Sequence, residues 1–212
     1  MKKPFVSIII PTYNRKEKLI DSILSIESQN YPKDKFEIII IDDNSTDDTQ
    51  KETRKLMKKY KNIRYQKNQR NLGPAASRNA GIRIAKGEYI FFTDDDCVVD
   101  KGWLINYINF FEKNKEIGGI GGPLIPIQSN LIARIEKFKD KILKIDMKKP
   151  KIGRDQIPVG FTSNVAYRKE VFKEVGYFNE KFKIPAGEDV ELKKRVCKKF
   201  KIAFLPVIVW HN

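Results

Sequence analysis

The hydrophobic positions fall in short apolar runs separated by longer segments with helical spacing. Phe5 to Ile10 is an apolar, β-branched run halted by Pro11, the pattern of a buried strand. Lys16 to Gln29 sets Leu19, Ile23, Leu24 and Ile26 at helical spacing. Phe36 to Ile41 is a second buried strand, ended by Asp42-Asp43-Asn44-Ser45. Asp47 or Thr46 is placed to cap a helix running to about Lys59. A third strand is predicted over Ile63 to Gln66 and a helix over Ala75 to Ala85. A fourth strand follows over Glu88 to Thr93. Strands alternating with helices predict an α/β fold with a parallel sheet covered on both faces.

The second half is less regular. Trp103 to Phe111 reads as a helix, and Gly118 to Pro123 as a glycine-rich strand or turn. Leu131, Ile135, Phe138, Ile142 and Ile145 form a helical stripe over 131–147. Val165 to Val175 reads as strand then helix, and Val190 to Phe200 as a helix. Ala203 to Trp210 reads as a last strand broken by Pro206.

Composition narrows the chemistry. The 212 residues carry 42 Lys+Arg against 27 Asp+Glu, a net charge of +15. Nucleic acid, an anionic membrane surface or a phosphate-rich ligand would each suit that excess, as would plain solubility. Two cysteines, Cys97 and Cys197, are too few for a disulfide scaffold or a four-thiolate zinc site. One histidine, His211, rules out a histidine cluster. No apolar run reaches the ~20 residues that span a bilayer. A reduced, cytoplasmic setting is the expectation.

In such sheets ligands bind beyond the carboxyl ends of the strands. Those ends are Pro11-Thr12-Tyr13-Asn14-Arg15, Asp42-Asp43-Asn44-Ser45 and Asp94-Asp95-Asp96. Strand alternation would point Asp94 and Asp96 one way and Asp95 the other. Carboxylates this close call for a counter-charge, and a hard divalent cation, Mg²⁺ or Mn²⁺, would supply it.

Seven segments, in order, resemble family 2 glycosyltransferases, which have the GT-A fold. They are residues 7–15 (SIIIPTYNR), 40–47 (IIDDNSTD), 71–81 (NLGPAASRNAG) and 87–96 (GEYIFFTDDD). The others are 163–168 (SNVAYR), 176–180 (GYFNE) and 187–192 (GEDVEL). The resemblance runs from about residue 5 to the end. It implies a Rossmann-like, mostly parallel sheet flanked by helices, with a smaller acceptor-side subregion. Residues 1–212 would form one catalytic domain. Residues 1–100 would be its nucleotide-binding half and 101–212 its acceptor-binding half, within what could be a longer protein.

The resemblance also implies roles. Tyr13 would stack on the nucleotide base, Pro11 and Thr12 would line its pocket, and Asp43 would accept a base N–H. Arg15, Asn71 and Arg78 would lie near the nucleotide or diphosphate. Asp96 would be the best metal ligand, and Asp94 or Asp95 would face the ribose or donor sugar. The middle Asp95 departs from the common Asp-Ala-Asp form of the family's motif. His211 would complete the metal site with a neutral imidazole. Asp189 would be the general base, and Asn164 and Glu188 would lie on the acceptor side. The reaction would be an inverting transfer from a nucleotide-sugar donor to a glycan or lipid-linked acceptor, with Mn²⁺ or Mg²⁺ as cofactor. A UDP-sugar is the first choice. The runner-up is a polyprenyl-phosphate sugar synthase using GDP-mannose or UDP-glucose. A nucleic-acid-binding module lacks any recognisable motif here, and the acidic rim would repel a phosphate backbone.

The positive charge sits elsewhere. Residues 51–70 hold nine basic side chains against one acid, and residues 130–155 nine against four. The second segment joins basic charge to the apolar stripe. Its face would meet the sheet or, alternatively, an anionic membrane carrying the acceptor, which makes a peripheral membrane location the second expectation.

Overall fold

The computed structural model describes residues 3–127, 149–157, 162–182 and 187–211. Within these, eleven strands alternate with six α-helices. The first half holds β1 (Val6–Thr12), α1 (Lys16–Glu27), β2 (Phe36–Asp42), α2 (Thr49–Lys59), β3 (Ile63–Lys67), α3 (Pro74–Ile84), β4 (Tyr89–Phe92) and β5 (Cys97–Val99). The second half holds α4 (Trp103–Lys113), β6 (Ile117–Gly121), β7 (Leu124–Pro126), β8 (Lys151–Gly153), β9 (Val165–Arg168), α5 (Lys169–Val175), α6 (Glu188–Lys199), β10 (Lys201–Phe204) and β11 (Val209–His211).

Eight strands form one sheet in the order β3-β2-β1-β4-β9-β6-β10-β8. β1, β2, β3 and β4 run parallel, in the register Ile8↔Ile38 and Ile8↔Phe91. β9 enters antiparallel between β4 and β6, and β8 closes the far edge antiparallel to β10. The sheet is therefore mostly parallel, as expected, with its antiparallel members β9 and β8 in the second half.

The unbroken isoleucine runs are explained by burial on both faces. Ile8, Ile10, Ile38, Ile40 and Phe91 pack beneath α1 and α4, against Leu19, Ile23, Trp103 and Tyr107. Ile9, Ile39, Ile41, Ile90 and Phe92 pack on the opposite face with α3, α5 and α6, against Ile82, Phe172 and Leu192. Each such side chain contributes about 1.5–3 kcal/mol relative to leaving it exposed. α3 lies so close to β1 that a Cβ at Gly81 would meet the Ile9 side chain at 2.5 Å.

Two readings change. The last strand, expected to be broken by Pro206, is interrupted over 205–208 and its two parts enter different sheets, so β10 stays in the main sheet. β11 becomes the centre of a three-stranded sheet, β5-β11-β7. Strand β5 was not expected at all. β11 runs antiparallel to β5, pairing His211 with Cys97. The stripe over 131–147, and with it the membrane-facing expectation, falls outside the described residues. Among the described residues no helix is long and apolar enough to cross a membrane.

Candidate active site

The site is built where the chain leaves the carboxyl ends of β1, β2 and β4. After β1, Asn14 takes a left-handed conformation (φ 53°), and after β2 Asn44 does the same (φ 71°). The two turns are tied together. The Asn14 N–H donates to Ser45 Oγ at 2.9 Å, and Asn14 Oδ1 accepts from the Thr46 N–H at 2.7 Å. Asparagine tolerates this backbone better than a bulky residue would.

Asp43 organises a third loop. Its Oδ1 accepts from Asn68 Nδ2 at 2.7 Å and the Leu72 N–H at 2.9 Å, and its Oδ2 accepts from the Gly73 N–H at 2.8 Å. Gly73 has φ 88°, and Pro74 opens α3 directly after it. One carboxylate thus sets the start of the helix that carries Arg78.

β4 stops at Phe92, so the acidic triplet lies on a turn and strand alternation does not govern it. Asp95, expected to point away, faces the same cleft as its neighbours. The Thr12 hydroxyl donates to Asp95 Oδ2 at 2.8 Å. Arg15 Nη1 reaches Asp95 Oδ1 at 3.3 Å and Asp96 Oδ2 at 2.8 Å. Burial pushes the Asp95 carboxyl up to about 6; the Thr12 hydroxyl and Arg15 oppose the rise, while Asp96 and Asp94 add to it.

His211 Nε2 lies 3.3 Å from the same Asp96 oxygen that Arg15 contacts. Ligand atoms of Asp94, Asp96 and Cys97 all lie within 4.8 Å of one another. Cys97 is buried, and its soft sulfur is a poor partner for a hard cation. The carboxylate oxygens of Asp96 and Asp94 suit a hard divalent cation, and the His211 imidazole lies beside them.

Pro11, Thr12, Tyr13, Arg15, Asp43, Asn71, Arg78, Asp94, Asp95, Asp96 and His211 line one cleft of about 500 Å³. Gly73, Pro74 and Ser77 line it too and were not singled out from the sequence. They lie between Asn71 and Arg78 in a segment whose resemblance was noted, and that adjacency was the available signal. Tyr13 is half-exposed at the mouth.

The acceptor-side residues sit differently. Asn164, expected to meet the acceptor, is buried, and every hydrogen-bonding position of its amide is used within the protein. Its Oδ1 accepts from Trp103 Nε1 at 2.9 Å and the Tyr107 hydroxyl at 2.7 Å. Its Nδ2 donates to the carbonyls of Pro123 and Val207, both at 2.9 Å. The amide therefore clamps α4 to the two loops leading to β7 and β11. Glu188, also expected there, is buried against Arg78 Nη1 at 2.8 Å and does not line the cleft. Arg78 Nη2 meets Asp94 Oδ1 at 2.8 Å, and the Ser163 hydroxyl donates to the other Asp94 oxygen. Asp189, in the first turn of α6, is partly buried. Burial raises its carboxyl above the usual range; the Val190 N–H lowers it, the Glu188 charge raises it, and Arg78 lowers it.

Comparison with known proteins gives the family and the fold. The family model described as Glycosyl transferase family 2 matches residues 7–176. The chain is 29% identical to glycosyltransferase AglE of Haloferax volcanii over 200 residues, 91% of this chain and 61% of that protein. It is 40% identical over 116 residues to the poly(ribitol-phosphate) β-N-acetylglucosaminyltransferase TarP of Staphylococcus aureus, 54% of this chain and 34% of that protein. The chain thus spans less than two thirds of either relative's length. The mannosyltransferase PcManGT of Pyrobaculum calidifontis, solved with GDP-Man and Mn²⁺, superposes with TM-score 0.80 at 20% identity, over 99% of this chain and 57% of that one. S. aureus TarS 1–349 with UDP-GlcNAc superposes with TM-score 0.77 at 22% identity, over 97% and 58%. At these identities the two structures show a shared GT-A architecture.

Proposed function

The chain belongs to glycosyl transferase family 2, and from that premise we propose that it moves a sugar from a nucleotide-diphosphate donor, a UDP-sugar in the first instance, to a hydroxyl of a glycan or lipid-linked acceptor. The observation that carries this reading is the single cleft into which β1, β2, β4, the start of α3 and β11 bring their polar side chains.

Each residue has a part that its surroundings support. The Tyr13 ring stacks on the base. Asp43 Oδ2 accepts one N–H within the protein, which leaves acceptor capacity for a base N–H. Arg15 and Arg78 offer guanidinium donors to the diphosphate. Asp96 and His211 would hold a divalent cation, Mn²⁺ or Mg²⁺, which would supply positive charge against the departing diphosphate. Asp189 accepts the proton of the acceptor hydroxyl as its oxygen attacks the anomeric carbon. The bond to the diphosphate breaks on the opposite face, and the configuration inverts. A carboxyl held above its usual range by burial is the better base at neutral pH, because it binds the proton more tightly. The protein works at the cytoplasmic membrane face when its acceptor is lipid-linked.

A thermal-shift panel of UDP-, GDP- and dTDP-sugars with and without Mn²⁺ tests the reading. A stabilisation that needs both UDP-sugar and Mn²⁺ is expected from binding linkage. A shift with GDP-mannose alone would transfer the reading to the polyprenyl-phosphate mannose type. No metal-dependent shift with any nucleotide would remove it.

A further inference from the structure

Arg78 is almost wholly buried, at 3% exposure, and one guanidinium joins two parts of the molecule. Nη2 reaches Asp94 on the donor side of the cleft, and Nη1 reaches Glu188 at the first residue of α6, both at 2.8 Å. Glu188 is also 3% exposed. Among the described residues, Arg78 Nε and Glu188 Oε2 have no hydrogen-bond partner. Two desolvated charges with unmatched atoms are a costly way to fasten a helix, and well-packed apolar residues generally hold one as firmly. Here apolar packing is already present. Leu192 and Val196 of α6 sit in the same core as Ile82 of α3 and Phe178. Asn79 separately ties α3 to the Phe178 backbone, through Nδ2 to the carbonyl at 2.9 Å and Oδ1 from the N–H at 3.0 Å.

What apolar packing does not supply is a fixed register between α6 and the acidic triplet. α6 begins after Gly187, at φ 91°, and Glu188 precedes Asp189 directly. We propose that Glu188 is a positioning residue: through Arg78 it holds the first turn of α6, and with it Asp189, at a set distance from Asp94 on the donor side. This rests on the reading of Asp189 as the general base. The groups that bear on Asp189 are Glu188 and the Val190 N–H on its own helix, Arg78 from α3, and Tyr167 from β9. The Glu188 charge favours the protonated form of Asp189, which strengthens it as a base.

The test compares Glu188→Gln, Glu188→Ala and Asp189→Asn in the whole chain. Carboxyl ¹³C resonances of aspartate-labelled protein give the Asp189 titration midpoint, with Asp189→Asn assigning the signal. Calorimetry gives affinity for UDP with Mn²⁺, and UDP-sugar turnover gives kcat and KM. Glu188→Gln keeps the bond to Arg78 and removes the charge, so the Asp189 midpoint is expected to fall. Glu188→Ala is expected to lower kcat by about 10²-fold, the scale of a small misplacement of a reacting group. Glu188→Gln, which keeps the bond to Arg78, is expected to keep UDP affinity within about twofold, as for a group that acts away from ground-state binding. Unchanged kcat in Glu188→Ala overturns the proposal, and so, where that variant does not fold, does Glu188→Gln with midpoint and kcat both unchanged. So does a raised UDP-sugar KM at unchanged kcat, which would make Glu188 a ligand contact. If Glu188→Ala fails to fold, the near-isosteric Glu188→Gln decides alone. Normal turnover in Asp189→Asn would instead sink the base reading, leaving the midpoint to judge Glu188.

Discussion

Arg15 holds the place of a counter-ion. Its guanidinium contacts the Asp96 oxygen that also faces His211. A divalent ion bound there has to displace it. Arg15→Gln is therefore expected to bind Mn²⁺ about two- to fivefold more tightly without nucleotide, the scale of a half-exposed ion pair. With UDP present the gain should shrink, because Arg15 is then free to meet the diphosphate. Titration of free Mn²⁺ by electron paramagnetic resonance reads both arms, and equal affinities without nucleotide would contradict the picture. Asp189 supports a second expectation. It accepts a proton only when ionised, and its carboxyl is raised by burial and by Glu188. As pH falls, turnover should fail sooner than an ordinary aspartate near ~4 would dictate. A pH–rate profile whose acid limb sits at or below that value speaks against the role, as does Asp189→Asn keeping more than about a hundredth of wild-type turnover. Residue by residue, the cleft was legible because its parts follow strand ends, and strand ends are local features. Two of the errors came from burial, which a sequence does not display. Asn164 and Glu188 looked available and are both spent inside the protein. Asp95 looked turned away because a turn was read as strand.

Among the elements, α2 carries a feature that its own fold does not use. Lys51, Arg54, Lys55, Lys58 and Lys59 are exposed at helical spacing on one stripe. Lys55 pairs with Glu52 at 2.8 Å, and Lys51 lies 4.0 Å from Asp48. The like-charge neighbours three and four residues apart each cost about 0.2–0.5 kcal/mol. Lys51→Glu removes such contacts, adds attractive ones to Arg54 and Lys55 and puts a carboxylate in the first turn of α2, so it should stabilise the protein by roughly 0.5 kcal/mol in urea unfolding. A loss of stability would mean that the contact of Lys51 with Asp48 outweighs the repulsion along the stripe. At this scale α1 to α3 and β1 to β4 were readable from period alone, since long apolar runs and helical stripes differ plainly. β5 was not. Cys97-Val98-Val99 is three residues long and hidden behind the acidic triplet, and its partner β11 lies more than a hundred positions away.

For the whole molecule, the net charge of +15 and the acidic cleft describe different surfaces. A surplus of that size repels itself, and salt screens the repulsion. The melting temperature should therefore rise as NaCl is raised from low to physiological concentration. A fall would show that exposed attractive ion pairs such as Lys55–Glu52 dominate the balance. Topology at this scale was only half readable. Period-two patterns say that a strand exists, but not that β9 slips in antiparallel between β4 and β6, a choice made by long-range packing.

The late strand β11 also gives the site an order of assembly. Asp96 and His211 sit about 115 positions apart in the chain, yet 3.3 Å apart in space. At ribosomal rates of roughly 5–20 residues per second, the imidazole follows the carboxylate by on the order of ten seconds. During that interval the early strands β1 to β4 can pair and present Tyr13 and Asp43, but the pair Asp96–His211 does not yet exist. Under the proposed roles, a nascent chain gains its nucleotide-facing half first and brings His211 to Asp96 only when β11 slots between β5 and β7.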